Sequence, residues 1–524
     1  GELIARGNAG NNIVFTSNKT TPAPGDWGYI LFGDTSTDAT FDSGGNYVSG
    51  SVLQYCKVLY GGANNAGGAI KISSSSPFID NCRIENNASR GIQAGGTVGL
   101  RLTNNTVTGN TSSDSGGGGI YVGGTQVTIA NNIISNNTAN AYGNWDGGGG
   151  IRVDGQNIII SGNTISENTA NGPNFWANGG GGVFFGSGTT VTIKDNTITK
   201  NTSGGFGGGI YEFGYRSNTA VINGNTISEN KAGGNGGGMS ASGTISNNII
   251  TKNTAGDFGG GLVVYGTITK NIITENTAKN GGGIVIDGSP ATVTENTISG
   301  NKTLNGDGGG VFIGSSTVTI TNNTITGNSA SGSGYTAGVH LQSGNASSKF
   351  ENNTVTQNSG TEARTLYINN TNWSIKNNNI QNNPAKWSLY YDGASGSTLD
   401  VTNNWWGTTD DNLLQQLIYD WFDNVAKGLV NYKPWLITAN TIAPPSPPTG
   451  LNATSSATSV TLSWTANPEG DIAGYKLYYD TKSGPPYQGT GATQGASPIT
   501  VGNVTTFTLS GLTSGTIYYL ALKA

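Results

Sequence analysis

One six-residue pattern recurs along most of this chain and constrains its fold more than any other feature. The pattern is Asn-x-(Ile/Val)-x-x-Asn, and residues 196–201 (Asn-Thr-Ile-Thr-Lys-Asn) are one copy of it. Its copies start 23 to 33 residues apart, and a period in this range indicates a repeat architecture. The first Asn of each copy is Asn105, Asn132, Asn163, Asn196, Asn225, Asn248, Asn271, Asn296, Asn323, Asn353 and Asn378.

Each repeat contains three short runs in which apolar and polar residues alternate. Two of these runs resemble Val-Thr-Ile and Asn-Thr-Ile-Thr, and the third, such as Gly-Ile-Tyr-Val, follows a run of glycines. Alternation with a period of two predicts β-strands, and no window within the repeats shows the spacing of an amphipathic helix. The sequence therefore predicts an all-β solenoid in which each repeat forms one coil.

The repeated Asn residues have a physical explanation in such a fold. Successive coils lie about 4.8 Å apart, so equivalent side chains stack on one another. An amide group is both donor and acceptor, and a column of amides can therefore form hydrogen bonds along the stack. Asn also tolerates the left-handed backbone of a sharp corner, and glycine does so at the Gly-Gly-Gly corner. We expect the Asn residues to build corners and not to bind ligands.

With these motifs, the chain resembles the right-handed parallel β-helix repeat proteins of the pectate-lyase-like superfamily. The resemblance covers roughly residues 1–440. It implies a right-handed parallel β-helix, but that fold carries lyases, hydrolases, epimerases, adhesins and structural fibres, so it leaves the function open.

The rod is expected to span residues 1–438. Entry coils occupy 1–66, regular coils 67–400 and a C-terminal cap 401–438. The cap contains one run with helical spacing, Leu413–Phe422. We expect four tryptophans to plug the apolar end of the rod, because an open end of a solenoid must be covered. They are Trp405, Trp406, Trp421 and Trp435.

A second domain is expected after a proline-rich linker. Residues 439–449 contain Pro444-Pro-Ser-Pro-Pro448, which predicts a stiff, extended segment. Residues 450–524 resemble a fibronectin type III module, with Trp464 as the core tryptophan and Tyr518 as the corner tyrosine. The last strand of such a module is missing from this sequence.

Charge and hydrophobicity restrict the partners. The net charge is −5, which argues against a nucleic-acid partner. No run of 18 apolar residues is present, so no membrane span is expected. We expect an extracellular or cell-surface protein that is exported by a signal outside this fragment.

The two cysteines align on adjacent coils. Cys56 and Cys82 occupy the same phase when Tyr55-Cys-Lys-Val is set over Asn81-Cys-Arg-Ile. One coil apart, their Cα atoms would be close enough for a disulfide, so a bridge and a stacked pair of thiols both remain open.

An aromatic stripe is the main candidate surface for binding or assembly. Alternation places one residue of each post-glycine strand outside, and this outer column is rich in apolar side chains. Either the stripe is exposed and binds a sugar or another protein, or the corner loops fold back and cover it. The stripe comprises Tyr121, Phe184, Tyr211 and Phe312 on the strands and Trp145, Phe175 and Trp176 on the loops.

Catalytic candidates are few. Asp154 and Arg152 form the one mixed-charge spot on the outer column, and Glu212 falls at an inward phase. His340, the single histidine, is interpreted as a surface residue. The clustered Asp pairs with Gly-His-Gly and Arg-Ile-Lys of polygalacturonases and the Asp-Pro-His of alginate epimerases are absent, so the sequence favours a non-catalytic protein.

Calcium is the one cofactor that the sequence suggests. Four aspartates precede the glycine corners, where one carboxylate and loop carbonyls could form an oxygen site. The alternative is that they are ordinary turn residues. They are Asp114, Asp146, Asp257 and Asp307.

Two functions therefore remain. The first is a non-catalytic structural or adhesive rod that associates with copies of itself through its ends or its stripe. The second is an extracellular carbohydrate-active protein, a lyase, hydrolase or glycan-binding module, whose partner is a cell-surface polysaccharide.

Overall fold

The rod is a right-handed parallel β-solenoid of about 13 turns, as the repeats predict. We analysed a computed structural model of the chain. It describes residues 1–63, 67–113, 116–140, 147–172, 178–214, 219–314, 317–342, 344–467, 469–482, 484 and 487–524.

The largest sheet, called the long sheet, contains two strands from each coil. Where the two strands merge into one, as in Met239–Ser246, they join both rows into a single 26-stranded parallel sheet of the described chain. The row that follows the glycine corners comprises Ile30–Phe32, Gly68–Ser73, Arg90–Val98, Ile120–Thr125, Ile151–Gln156, Val183–Phe185, Ile210–Glu212, Met239–Ser246, Leu262–Thr269, Ile284–Thr294, Val311–Ile313, Thr336–Leu341, Arg364–Ile368, Trp387–Tyr391 and Ile418–Tyr419. The other row adds Ile4–Arg6, Val52–Gln54, Phe78–Asp80, Arg101–Thr103, Thr128–Ala130, Ile158–Ser161, Val191–Lys194, Val221–Asn223, Val318–Thr321, Ser348–Glu351 and Trp373–Lys376.

Two further parallel sheets complete each coil. The middle sheet carries the strand between the two Asn residues of the motif, and the short sheet carries the two or three residues after the second Asn. The middle sheet comprises Ile13–Phe15, Cys56–Leu59, Arg83–Glu85, Thr106–Thr108, Ile133–Ser135, Thr164–Ser166, Thr197–Thr199, Thr226–Ser228, Ile249–Thr251, Ile272–Thr274, Thr297–Ser299, Thr324–Thr326, Thr354–Thr356 and Asn379–Gln381. The short sheet comprises Thr111–Ser112, Thr138–Asn140, Thr169–Asn171, Thr202–Ser203, Lys231–Ala232, Thr254–Ala255, Thr277–Ala278, Lys302–Leu304, Ser329–Ser331 and Ser359–Gly360.

The core of the rod consists of stacked apolar side chains. Ile120 pairs with Ile151, and Ile151 pairs with Val183; all three are fully buried. The motif residues Ile165 and Ile198 are aligned in the same way on the middle sheet. In-register stacking thus places like side chains against each other along the whole rod.

The recurring spacing of the Asn residues along the chain produces two buried amide columns. The Asn201 Nδ2 donates to Asn230 Oδ1 at 3.0 Å and to the Ile165 carbonyl at 2.9 Å. The Asn201 Oδ1 accepts from the backbone N–H and the Nδ2 of Asn168, both at 3.0 Å. The Asn201 amide therefore bonds to both neighbouring coils, which confirms the predicted hydrogen-bonded ladder.

The prediction for the corner backbone was wrong in detail. The left-handed residue is the one before each ladder Asn, for example Asp195 (φ 57°) and Lys200 (φ 56°). The ladder Asn itself must aim its side chain along the rod, so the positive φ is displaced by one position. At the glycine corner the expectation holds, since Gly207 has φ 58° and a Cβ there would lie 2.1 Å from the Ile210 carbonyl oxygen.

The C-terminal cap contains one helix, Asp411–Leu417, whose first turn is capped by the Asp410 side chain. Strands Thr398–Asp400 and Leu429–Asn431 pair beside it. Trp406 is buried at the end of the core. Trp421 is 43% exposed and contacts the exposed Phe422, so the prediction that Trp421 plugs the rod was wrong. It lies on the loop after the last strand of the long sheet, outside the core.

One small hairpin and a C-terminal sandwich are the remaining elements of the described chain. Thr40–Phe41 pairs with Tyr47–Ser49 near the first coils. The C-terminal domain has two three-stranded antiparallel sheets. Trp464 is buried in its core, and the Tyr518 hydroxyl accepts from the Thr513 backbone N–H at 3.1 Å. The sandwich strands are Thr449–Ser455, Ser459–Thr465, Gly474–Asp480, Ile499–Gly502, Thr506–Ser510 and Tyr519–Lys523.

The linker lies against the rod. Asn440 exchanges hydrogen bonds with Asn379, and the Gln381 amide donates to the Ser446 hydroxyl at 3.2 Å. The Ser446 N–H in turn donates to the Glu469 carboxylate of the sandwich. The segment is therefore bound to the end of the middle sheet along part of its length.

Candidate functional site

The outer column of the long sheet is covered in its middle part. Phe184 and Tyr211, two residues of the predicted stripe, are only 1% and 2% exposed. Phe206, which lies on the corner before the strand, contacts the Tyr211 ring at a centroid distance of 5.8 Å. Over these coils, the corner loops cover the column, as one of the two sequence-based alternatives proposed. Trp145, Phe175 and Trp176 lie outside the described residues.

The two residues of the mixed-charge spot, Arg152 and Asp154, form an ion pair with each other. Arg152 Nε and Asp154 Oδ2 are 2.9 Å apart. The same guanidinium lies 5.6 Å from the ring centre of Tyr121 and 5.0 Å from that of Phe184. Asp154 lies beside a cation that it pairs with, which is the arrangement of a structural ion pair more than of a general acid.

Glu212 is buried within the rod, as its inward phase predicts. Its carboxylate accepts from the backbone N–H of Ser242 at 2.5 Å and from the Ser242 hydroxyl at 2.6 Å. Glu212 pairs with Phe185, which pairs with Val153. It therefore lies two strands from Arg152 and Asp154 and on the opposite face of the sheet, so the three candidates do not form one catalytic cluster.

The calcium candidates show no cation site among the residues described. Asp307 accepts from the Thr336 N–H at 2.7 Å and lies 3.6 Å from His340 Nδ1. Asp257 is half-buried at a glycine corner, and Asp114 and Asp146 lie outside the described residues. Over the described ranges, no three His, Cys, Asp or Glu side chains are grouped closely enough to hold a metal ion. A site built from backbone carbonyls stays a prediction.

The two cysteines are a stacked pair of free thiols in the structure. The Cys56 N–H donates to Cys82 Sγ at 3.4 Å, and the Cys82 N–H donates to Asn105 Oδ1 at 2.9 Å. They therefore continue the amide column formed by the first Asn of each motif toward the N-terminal end of the rod, with sulfur in place of the amide.

A second column of side chains, which we call the ring column, lies on the outer face near the C-terminal end of the long sheet. Adjacent ring centroids are 4.8, 4.3, 6.0 and 4.3 Å apart, and the ring planes are nearly parallel. Parallel pairing in register produces this stack, because each residue lies one strand above the next. Its members are Phe312, His340, Tyr367, Tyr390 and Tyr419.

Charged groups flank the ring column. The Tyr367 hydroxyl donates to Asp392 Oδ2 at 2.6 Å, and Lys427 forms an ion pair with the other oxygen of Asp392. Burial disfavours the charged carboxylate, but the hydrogen bonds from Lys427 and Tyr367 outweigh burial and lower the pKa of Asp392. Burial likewise opposes ionisation of Asp307, and its hydrogen bond with His340 leaves the Asp307 pKa lowered. Burial and the bond to Asp392 raise the Tyr367 pKa.

A cleft of about 250 Å³ opens beside the last two rings. Trp387 stands across the stack, with its centroid 5.7 Å from that of Tyr390 and 5.2 Å from that of Tyr419. The Arg364 guanidinium lies 3.9 Å from the ring centre of Tyr390. The cleft is lined by Ser333, Gly334, Glu362, Arg364, Trp387, Tyr390 and Tyr419.

Comparison with protein families decides the relationship of the chain. Overlapping matches to the family model "Right handed beta helix region" together extend over residues 34–407. The chain belongs to the right-handed beta helix family. A fibronectin type III domain matches residues 446–524, and no curated protein sequence matches the chain.

Solved structures similar to this beta helix protein include two mutants of the tailspike protein of E. coli bacteriophage HK620, each in complex with a pentasaccharide. One is 9% identical, with 90% of this chain and 75% of that chain covered and a TM-score of 0.27. The other is 10% identical, with 98% and 85% covered and a TM-score of 0.25.

Sequence reasoning on this beta helix protein identified Phe312 and His340 but missed the rest of the ring column. The signal was present, because Tyr367, Tyr390 and Tyr419 each follow an inward Leu or Ile at the same outer phase. The glycine run that marks this phase in earlier coils is absent before these three tyrosines, so the repeat pattern does not predict that the column continues beyond His340. His340 is 6% exposed, which corrects its interpretation as a surface residue.

Proposed function

We propose that this protein is an exported rod that binds a glycan without cleaving it, through the cleft beside the ring column. The observation that carries the proposal is the combination in one cleft of an indole, two phenols and two charged side chains on the outer face of the long sheet. Concave sites with a few convergent polar groups are the usual places where small ligands and sugars bind.

The arrangement of the rings suits hydrogen bonding to hydroxyl groups. Because Tyr390 and Tyr419 are stacked at 4.3 Å, their facing surfaces are occupied, and their edges and hydroxyls are what a ligand can contact. Trp387 differs because its plane is turned by 71° and 68° from the two phenol rings. We expect Trp387 to pack on the apolar side of a sugar ring, while Glu362, Arg364 and the phenols contact its hydroxyls.

The carboxylates of this region favour binding over hydrolysis. A glycosidase needs one carboxylic acid that stays protonated because its pKa is raised. Asp307 and Asp392 both have lowered pKa values, and each is held by hydrogen-bonding partners. Glu362 is exposed and pairs with Lys386. This distribution supports a site that orients a sugar and performs no acid catalysis on it.

The test is a panel of neutral and charged polysaccharides, with binding measured by affinity electrophoresis and cleavage measured by release of reducing or unsaturated ends. Trp387→Ala is expected to weaken binding at least tenfold. Tyr29→Ala is the matched control, since Tyr29 is an aromatic residue that is 44% exposed at the other end of the rod. Release of products from any polymer, or binding unchanged by Trp387→Ala, would contradict the proposal.

Self-association is a second candidate that one surface favours. Three apolar residues on the loop after the last strand of the long sheet are exposed: Trp421 (43%), Phe422 (63%) and Val425 (70%). Exposed apolar patches are typical of interaction sites. Electron microscopy of the purified protein tests this function: fibres or sheets that disappear with Phe422→Ser support it, and separate short rods of wild-type protein count against it.

Among the described residues, no helix has both the length and the hydrophobicity needed to cross a membrane.

A further inference from the structure

Arg364 differs from the two lysines around the cleft because its guanidinium forms no ion pair with any of the described residues. Lys386 pairs with Glu362, and Lys427 pairs with Asp392. Within the described part of the chain, the Arg364 side chain forms neither a hydrogen bond nor an ion pair, and its Nε is a buried donor without a partner. A buried donor that lacks a partner costs free energy, and Arg364 also lines the cleft, where the outer N–H groups of its guanidinium can meet an acceptor from outside the chain.

The position of the guanidinium is fixed by the ring column. Its Cζ lies 3.9 Å from the ring centre of Tyr390 and 5.2 Å from that of Tyr367. Cation–π contacts of this kind hold the flat face of arginine and leave its N–H groups free to donate. The strand residue itself is anchored because the Arg364 N–H donates to the Tyr335 carbonyl at 3.0 Å.

Among the described residues that line the cleft, Arg364 is the cation and Glu362 is the anion. Glu362 is paired with Lys386, outside the lining. The anions beside the ring column also have partners of their own, since Asp392 pairs with Lys427 and Asp307 lies 3.6 Å from His340 Nδ1. The positive charge that an incoming anion meets in the cleft is therefore that of the Arg364 guanidinium.

We propose that Arg364 is the residue that determines specificity in the cleft and that it selects a sugar carrying a carboxylate. This inference rests on the proposed glycan-binding function and names the class of its ligand. The planar fork of a guanidinium matches a carboxylate with two parallel hydrogen bonds, which are stronger than bonds to a neutral hydroxyl. The ligand carboxylate thereby supplies the ion-pair partner that Arg364 does not have among the described residues.

The experiment compares each acidic polysaccharide with its own carboxyl-reduced form, which keeps the sugar backbone and converts the carboxylates into primary alcohols. Alginate, hyaluronan and xanthan are suitable polymers. Binding to wild-type protein, Arg364→Gln and Arg364→Lys is measured by calorimetry, with circular dichroism as the check on folding. Arg101→Gln is the matched control, because Arg101 also lies over an aromatic ring, that of Phe41, but far from the cleft.

We expect wild-type protein to bind at least one acidic polymer 10- to 100-fold more tightly than its reduced form, as the loss of a charge-assisted hydrogen bond implies. Arg364→Gln should abolish this preference, so that the acidic polymer and its reduced form bind with the same affinity. Arg364→Lys should retain part of the preference, because the charge remains without the fork. Arg101→Gln should behave as wild type.

Three results would overturn the inference. Equal binding of acidic and reduced polymers by wild-type protein would show that the cleft binds glycans without reading a carboxylate, and the proposed function would survive. A preference that persists in folded Arg364→Gln would assign it to another residue. If wild-type protein bound neither the acidic nor the neutral polymers, the proposed function itself would fail, and the specificity of Arg364 with it.

Discussion

The amide columns inside the rod and the ring column outside it are built by the same geometry and differ in what they leave unsatisfied. Both arise because equivalent residues of successive coils lie one strand apart. In the amide columns, Asn201 uses its donor and its acceptor on the neighbouring coils. Beside the ring column, Arg364 Nε is a buried donor without a hydrogen-bond partner among the described residues. Stacking therefore satisfies the polar groups where the side chains are self-complementary and does not do so beside the ring column, where we propose that a ligand binds.

The largest effect is expected from a substitution that interrupts one of the amide columns inside the rod. Asn201→Ala removes the partner of the Asn168 backbone N–H and of the Ile165 carbonyl, both of which are buried. We expect a loss of about 3–5 kcal/mol in the free energy of unfolding, because each buried group without a partner costs about 1–3 kcal/mol. Urea unfolding followed by tryptophan fluorescence measures it. Asn171→Ala, which removes a single exposed bond to Asn140, should change the stability little; similar losses for the two variants would contradict the role of the column.

A smaller loss of stability is expected from a substitution in the ring column. Tyr390→Leu removes a half-buried ring that stacks on Tyr419 and contacts Trp387. Aromatic pairs contribute about 0.5–1.5 kcal/mol beyond their buried area, so we expect a loss of about 1 kcal/mol in the same unfolding experiment. A loss as large as that of Asn201→Ala would show that the two columns do not differ in the way described.

The smallest effect is expected in the pH dependence of stability, which distinguishes the carboxylates beside the ring column from the amides inside the rod. Asp307 and Asp392 have lowered pKa values in the folded state. Their contribution to stability is therefore complete above the unfolded pKa of about 4 and is lost as the pH falls through the lower folded pKa. Asn side chains do not titrate. We expect Asp392→Asn to flatten the decrease of the melting temperature between pH 5 and pH 3; an unchanged decrease would assign acid sensitivity to other carboxylates.

The fold was predictable because its determinants are local and repeated. The Asn motif and the glycine runs mark the corners of each coil, and alternation separates inward residues such as Ile151 from outward ones such as Arg152. The left-handed residue was misplaced by one position because Asp195 and Lys200 vary in type from coil to coil. Their conformation follows from the Asn beside them and not from their own side chains.

The candidate site was only partly predictable because it joins residues that are distant in the sequence. Nothing near Tyr367 indicates that Asp392 and Lys427 will reach it, since the cap returns Lys427 to the last strands of the long sheet. The absence of a partner for Arg364 is also a property of the folded chain. A sequence shows which residues carry charge, but only the structure shows which charges are neutralised.

The amide columns also describe how such a protein can change in the course of evolution. Asn225 and Asn248 are 23 residues apart, and the Asn225 amide bonds to its own coil and to the coils directly above and below. Duplication of one such 23-residue segment in the gene would insert a complete coil whose amides find the same partners on both sides. Insertion of a single residue within a strand would instead turn the following side chains to the wrong face. The rod can therefore lengthen or shorten by whole coils in one genetic step, and the distance between its two ends is a heritable property that is free to vary.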